Sequence, residues 1–270
     1  MFFKRIRCVL RFFLLMISIL SFLNTSAQKE VNSQNNKFAK CIIENAQNLI
    51  GKKYQAGTLE GDGQETLKYF SDKFDCVTFV EYVVAISIPM VNTNSSTGDF
   101  EKNLKNIRYR NGVINGYGSR LHYFTEWILQ NSIRGLIKDV TIDLSGVPYL
   151  KDIDFMTRNK GSYPKLTDTT ELKKVIKAEK RINGHKWMYI PKSKVHKIQS
   201  KILNGDIIAI TSSIPGLDIV HTGFAIRQKD GIYLLHASES EGKVVISKRN
   251  IHNYLNANKM QTGIIILRFY

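Results

Sequence analysis

Cysteine is scarce in this sequence. Three occur in 270 residues. Cys8 lies so near the N-terminus that only Cys41 and Cys76 remain for a folded domain, enough for one disulfide and no framework. Metal-ligand spacing is missing too: the six histidines include no short-spaced pair of the His-Glu-x-x-His kind, so neither a metal site nor a zinc enzyme is expected. No glycine-rich loop is built to cradle phosphate, and no cofactor is expected. The lysines are scattered without interleaved aromatics, which excludes nucleic acid as the main partner. Internal repeats and a clear domain boundary are absent as well. Acidic residues are few beside basic ones, 23 against 39, and the formal charge is +16.

What is present begins with a secretory signal. Lys4, Arg5, Arg7 and Arg11 supply positive charge. Residues 9–23 are apolar apart from Arg11, Ser18 and Ser21, and Thr25-Ser26-Ala27 offers small residues for cleavage. Residues 1–27 are read as a signal peptide cut near Ala27, and 28–270 as a single exported domain, periplasmic or held in the cell envelope. The apolar run is short of the roughly 20 residues that a spanning helix needs. An uncleaved anchor is therefore the lesser reading, and no membrane span is expected after signal removal. The signal carries four basic residues and no acid, so its loss takes +16 to +12. A strongly basic exported protein either meets anionic envelope polymers or is merely kept soluble by its charge. The sequence does not speak to oligomeric state.

The pattern along the chain is helices first and strands last, an α+β order. Helices are expected over 37–50, stopped by Gly51, then from Cys76 to about Ser87 before Pro89, over 99–108, over 121–130 and over 170–181, the last as a lysine-rich solvated face. Tyr54–Gly63 reads as a loop, Asn92–Gly98 as a linker, and Tyr149–Thr167 as irregular. Short strands are expected at 67–70, 140–144 and 186–190, and Pro191 opens a helix ending near Gly205. Strands at 206–211, 219–227, 232–237, 244–246 and 264–269 close the chain, with a helix over 248–257 between the last two.

Chemistry centres on Phe74-Asp75-Cys76-Val77-Thr78-Phe79-Val80-Glu81. Asp75 is placed to cap a helix, which puts Cys76 in its first turn, where free amides and the helix dipole favour thiolate over thiol. A thiol nucleophile needs an imidazole to take its proton, and a third polar group to orient that imidazole. His185, His196 and His252 fall on polar stretches and read as surface. His221 and His236 stand in apolar strands, where a lone histidine is more often a satisfied core residue than a catalyst. Together they say more. A hairpin at Asp230-Gly231 puts both on one face of the sheet. With His236 opposite Ala225 they are staggered by about 13 Å, and opposite Gly223 by about 7 Å. Against catalysis stands a Cys41–Cys76 disulfide, although Cys41 sits in an apolar helical stripe with Phe38, Ile42 and Leu49 and suits a core.

Four segments in order, Phe74–Val80, Gly205–Ile210, His221–Ile226 and Leu234–Ala237, resemble the core of the NlpC-type superfamily of papain-like cell-wall cysteine hydrolases. Tyr54 in Lys53-Tyr54-Gln55-Ala56-Gly57 resembles that family's tyrosine segment. Thr78-Phe79-Val80-Glu81 after the cysteine, and the insertion carrying Ser119–Phe124 and Glu126–Ile128, resemble the secreted N-acetylmuramoyl-L-alanine amidase-like branch. The resemblance implies a nucleophile helix packed on a small antiparallel sheet with additional helices. It implies hydrolysis of the amide between muramic acid and L-alanine in peptidoglycan or muropeptides. By position it implies Cys76 as nucleophile, His221 as base and acid, His236 as orienting residue, and the Cys76 amide with Tyr54 at the oxyanion. Asp75 is either the N-cap or a holder of a substrate amine. Arg120 and His122 contact the wall fragment or are structural. A stem-peptide endopeptidase cutting after D-glutamate would use the same triad. A catalytically silent wall-binding module would have no chemical need for it.

Overall fold

The computed structural model describes residues 37–91 and 100–270. The signal segment and the whole of the expected Asn92–Gly98 linker thus lie outside the described residues. Helix α1 covers residues 37–47, and its apolar stripe is buried at Phe38, Ile42 and Ala46. Two short strands follow, β1 (Lys53–Tyr54) and β2 (Lys73–Phe74), paired in parallel. The 67–70 strand is therefore not formed. Helix α2 spans Cys76–Val91. It runs on through Pro89, so the expected stop before that proline is not observed. Helices α3 (Phe100–Arg108) and α4 (Phe124–Ile133) come next.

Strand β3 (Ile137–Asp139) stops where Asp139 Oδ1 accepts from the Thr141 amide at 2.9 Å, a side-chain turn that ends the strand before the expected 140–144 segment. After β4 (Val147–Pro148) and the one-turn α5 (Phe155–Arg158) comes α6 (Thr169–Asn183). This helix is more than a solvated face: Val175, Ala178 and Ile182 are buried while its lysines point outward. Pro191 ends β5 (Met188–Pro191) instead of opening a long helix. The stretch after it is broken into 3₁₀ turns around α7 (Val195–Ile198).

The last third is β6 (Ile207–Ser212), β7 (Ile219–Gln228), β8 (Gly231–Ser238), β9 (Lys243–Ile246), α8 (Ile251–Asn256) and β10 (Gln261–Phe269). All strands join one sheet in the order β2-β1-β9-β8-β7-β6-β10-β5-β4, with β3 on β10. The fold is α+β as expected from the order of elements, but the sheet is neither small nor wholly antiparallel: ten strands take part and β1–β2 is parallel. Alternate residues feed two cores. Ile207, Ala209, Phe224, Leu235 and Ile265 face one side with α1, α2 and α4. Ile208, Ile210, Ala225, Leu234 and Ile264 face the other with α7 and α8.

Candidate active site

Cys76 is the first residue of α2. Asp75 Oδ1 accepts from the Thr78 amide at 2.8 Å, and the Thr78 hydroxyl accepts from the Asp75 amide at 2.9 Å. This reciprocal cap fixes the helix start. Phe79, Val80, Val83 and Val84 are fully buried and hold α2 to the sheet, each worth about 1.5–3 kcal/mol of apolar burial. The amides of Cys76 and Val77 have no partner within the helix and favour the thiolate. Burial outweighs them. It pushes the Cys76 thiol up to about 12, and the Asp75 carboxylate adds to the effect. A helix terminus contributes only about 0.3–1 kcal/mol, less than the burial that opposes it here. Both Cys41 and Cys76 are free, and Cys41 is half-buried, not fully in the core.

The thiol meets the sheet where two strands part. β7 and β8 pair from Gln228↔Gly231 to Phe224↔Leu235. Beyond that point β7 stays on β6 as far as Ile219, and β8 stays on β9 as far as Ser238. Ala225 gives its amide to Asp206 on the β6 side. Alternation turns the Thr222 amide the other way, into the opening, where it faces the Cys76 sulfur and favours the thiolate. Val220 is an extra residue between the Ile210↔His221 and Thr211↔Ile219 pairs. Such a bulge re-aims the side chains beside it.

The β7–β8 register extends to place His236 opposite Gly223, the closer of the two registers considered. The remaining stagger is closed: His221 Nε2 and His236 Nδ1 are 2.6 Å apart, with the rings nearly perpendicular. Gly223 makes room for this contact. A Cβ there would lie 2.7 Å from the Leu235 carbonyl oxygen and 2.8 Å from His236 Cβ. Burial pushes His221 down to about 3, with help from His236, and pushes His236 down to about 4. Both rings are neutral at neutral pH.

Two tyrosines complete the surroundings. The Tyr54↔Phe74 pairing sets Tyr54 beside the start of α2. Burial, then Cys76, Glu239 and Asp75, push its phenol up to about 12, so it remains a donor. Tyr254 of α8 was not foreseen, because its helix is polar and short. Its ring lies edge-on to His236 at 5.6 Å and nearly parallel to His221 at 6.5 Å. Asp218 was also missed. Its buried carboxylate accepts from the Thr125 amide at 2.8 Å and the Thr125 hydroxyl at 2.7 Å, tying the start of β7 to α4.

Arg120 and His122 have partners of their own. Arg120 is buried, pairs with Glu60 at 2.7 Å and sits over the Tyr117 ring at 5.0 Å. His122 Nε2 donates to the Tyr117 carbonyl at 2.8 Å, and burial pushes its ring down to about 3. Neither shares a hydrogen bond, ion pair or ring contact with Cys76, His221 or His236 among the described residues. Among those residues no group of three or more histidine, cysteine or acidic side chains could hold a metal ion, and no helix is long and apolar enough to cross a membrane.

Fold and site together define an α+β protein in which a thiol at a helix start meets the strand that carries one member of a hydrogen-bonded imidazole pair. The chain belongs to the AmiA-like, N-acetylmuramoyl-L-alanine amidase-like family, whose model matches residues 44–264. It is similar to the crystal structure of an N-acetylmuramoyl-L-alanine amidase from Bacteroides uniformis, at 37% identity and TM-score 0.81, over 86% of this chain and 99% of that one. A Bacteroides fragilis structure provisionally named a xylanase matches at 40% identity and TM-score 0.79, over 84% of this chain and 100% of that one. A Legionella pneumophila protein of the family model DUF1460 matches at 25% identity and TM-score 0.66, over 86% of this chain and 89% of that one. No curated protein matches the sequence.

Proposed function

We propose that this protein is an exported cysteine amidase of the NlpC-type, papain-like kind, which hydrolyses the amide joining muramic acid to L-alanine in peptidoglycan or its fragments. The observation that carries the reading is the 2.6 Å bond between His221 and His236 on the strand whose next amide, that of Thr222, faces the Cys76 sulfur. For His221 to act as base at Nδ1, its Nε2–H must donate to His236 Nδ1, which leaves the His236 proton on Nε2. His236, neutral and buried, then fixes the ring and accepts from the imidazolium when it forms.

The resting pair is thiol and neutral imidazole, so proton transfer accompanies attack. Cys76 Sγ adds to the lactyl carbonyl carbon while its proton passes to His221 Nδ1. The oxyanion accepts from the Cys76 amide and the Tyr54 phenol. As the C–N bond breaks, His221 gives its proton to the L-alanine nitrogen, and the peptide leaves with a free amine. Water, deprotonated by His221, then cleaves the thioester and restores the thiol. Asp75 is engaged in the helix cap, which favours that role over holding a substrate amine. A glycosidase would ask for two carboxylates flanking the scissile bond, whereas this site offers a thiol and two imidazoles.

Defined muropeptides digested by wild type and by Cys76→Ala, and read by mass spectrometry, test the reading. Release of intact stem peptide with a free L-alanine amine is expected from the wild type alone. His221→Ala should be as inactive as Cys76→Ala, and His236→Ala should retain more turnover because packing still orients His221. Cleavage inside the stem would reassign the protein as an endopeptidase. No cleavage by a folded wild type would make it a binding module.

A further inference from the structure

A cleft of ≈ 390 Å³ opens on the side of His236 away from His221's strand, between the β8–β9 turn and α8. Tyr254 stands in its wall and connects it to both imidazoles. At its side lies Gln261, only 5% exposed, with its carboxamide beside the Tyr254 phenol. One end of that carboxamide has no partner: Gln261 Oε1 is buried and unsatisfied. An orphaned buried acceptor costs on the order of 1–3 kcal/mol, and a ligand group placed in the cleft would relieve it. Turning the carboxamide over changes only which end is left, and a peptide group carries both an N–H and a C=O to meet either.

Charge narrows the ligand. Ser238 and Ser240 put neutral hydroxyls on the wall, and Lys248 is already paired with Glu241 at 2.8 Å. Arg249 is exposed in the cleft lining and has no ion pair among the described residues. The cleft therefore offers a buried amide partner beside the imidazoles and an unpaired guanidinium at the rim. A neutral sugar satisfies the first and leaves the second unused. A short peptide bearing a carboxylate satisfies both.

Resting on the amidase reading, we infer that this cleft holds the leaving side of the substrate, a carboxylate-bearing peptide whose backbone meets Gln261 and whose carboxylate meets Arg249. Gln261 and Arg249 are then specificity residues of the same site, on a wall formed by Tyr254.

The test is binding to the full chain carrying Cys76→Ala, read by calorimetry. The probes are the dipeptide L-alanyl-D-glutamate and its derivative with both carboxylates converted to carboxamides. The carboxylate form should bind about five- to tenfold more tightly. Adding Arg249→Met should erase that preference, and this exposed position does not bear on folding. Adding Gln261→Met should weaken both probes about tenfold, in a protein whose melting is checked alongside. Equal affinity for the two probes, or a preference that survives Arg249→Met, overturns the inference. So does N-acetylmuramic acid displacing the dipeptide in a Gln261-dependent way, which would make the cleft a sugar site. Turnover of wild type is read separately. A carboxylate preference without muramoyl cleavage would remove the amidase and leave the peptide site, and cleavage without an Arg249 effect would remove the peptide site alone.

Discussion

At the scale of single residues, Asp75 has two opposed effects on Cys76. As the cap it holds the helix start that presents the sulfur, and as a carboxylate it raises the thiol further above its ordinary value. Asparagine caps about as well as aspartate but carries no charge. Asp75→Asn should therefore leave the fold intact and shift Cys76 alkylation by iodoacetamide toward lower pH, with several-fold faster reaction at pH 8. An unchanged or slower rate would show that the carboxylate does not bear on the thiol. Residues of this kind differ in how far the sequence reveals them. A cysteine before an apolar helical face and two histidines inside apolar strands are conspicuous because their surroundings are wrong for them. Tyr254 sits on a short polar helix and Asp218 between Leu217 and Ile219, and only the fold brings the first to the imidazoles and the second to α4. Arg120 and His122 show the converse. Their polar chemistry is as visible as that of His221, but partners within the fold, the exposed Glu60 carboxylate for Arg120 and the Tyr117 carbonyl for His122, engage it.

At the scale of elements, the site depends on β7 and β8 parting after Phe224↔Leu235. The strands themselves are legible, because each is an apolar run with turn residues at its ends. Their register is not: a hairpin at 230 admits two, and the choice between them sets whether the imidazoles meet. The bulge at Val220 and the missing side chain at Gly223 are equally silent in one sequence. Gly223→Ala tests this arrangement. The added methyl meets a backbone oxygen at 2.7 Å and a Cβ at 2.8 Å, neither of which can swing aside. The strands must separate, at a cost of about 1–3 kcal/mol for overpacking, and His236 is carried away from His221. Turnover should fall at least about a hundredfold, in line with the loss of a positioned acid–base group, while circular dichroism still reports a folded sheet. An alanine variant with wild-type turnover would sink the claim that the glycine makes room for the histidine pair.

Over the whole molecule, three histidines are held in neutral form, His236 buried and His221 partly buried in the site and His122 partly buried beneath Tyr117. Burial lowers them to about 3, 4 and 3 in the order His221, His236, His122. In the unfolded chain a histidine takes up its proton near 6.5. Between about pH 6.5 and pH 4 the unfolded state thus binds protons that the folded state refuses. Stability contributed by the neutral rings is complete above 6.5 and drains away as the pH falls, by up to about 1.4 kcal/mol per pH unit for each ring. Buried carboxylates work in the opposite sense: Glu81, Asp139, Asp206 and Asp218 are all held above their ordinary range by burial. The total slope mixes the two sets, and a difference between two proteins isolates one ring. His122→Gln lies away from the thiol, so its effect reads out on folding. Urea unfolding at pH 7.5, 6, 5 and 4.5 should find this variant less stable than wild type at pH 7.5, because the ring packed on Tyr117 is lost. The gap should then narrow steadily toward pH 4.5, because only the wild type still has a ring at that position to protonate on unfolding. A gap that stays constant across the range would mean that His122 is charged, or free to become so, in the folded protein. The burial of the segment from Tyr117 to Tyr123 would then be wrong as drawn.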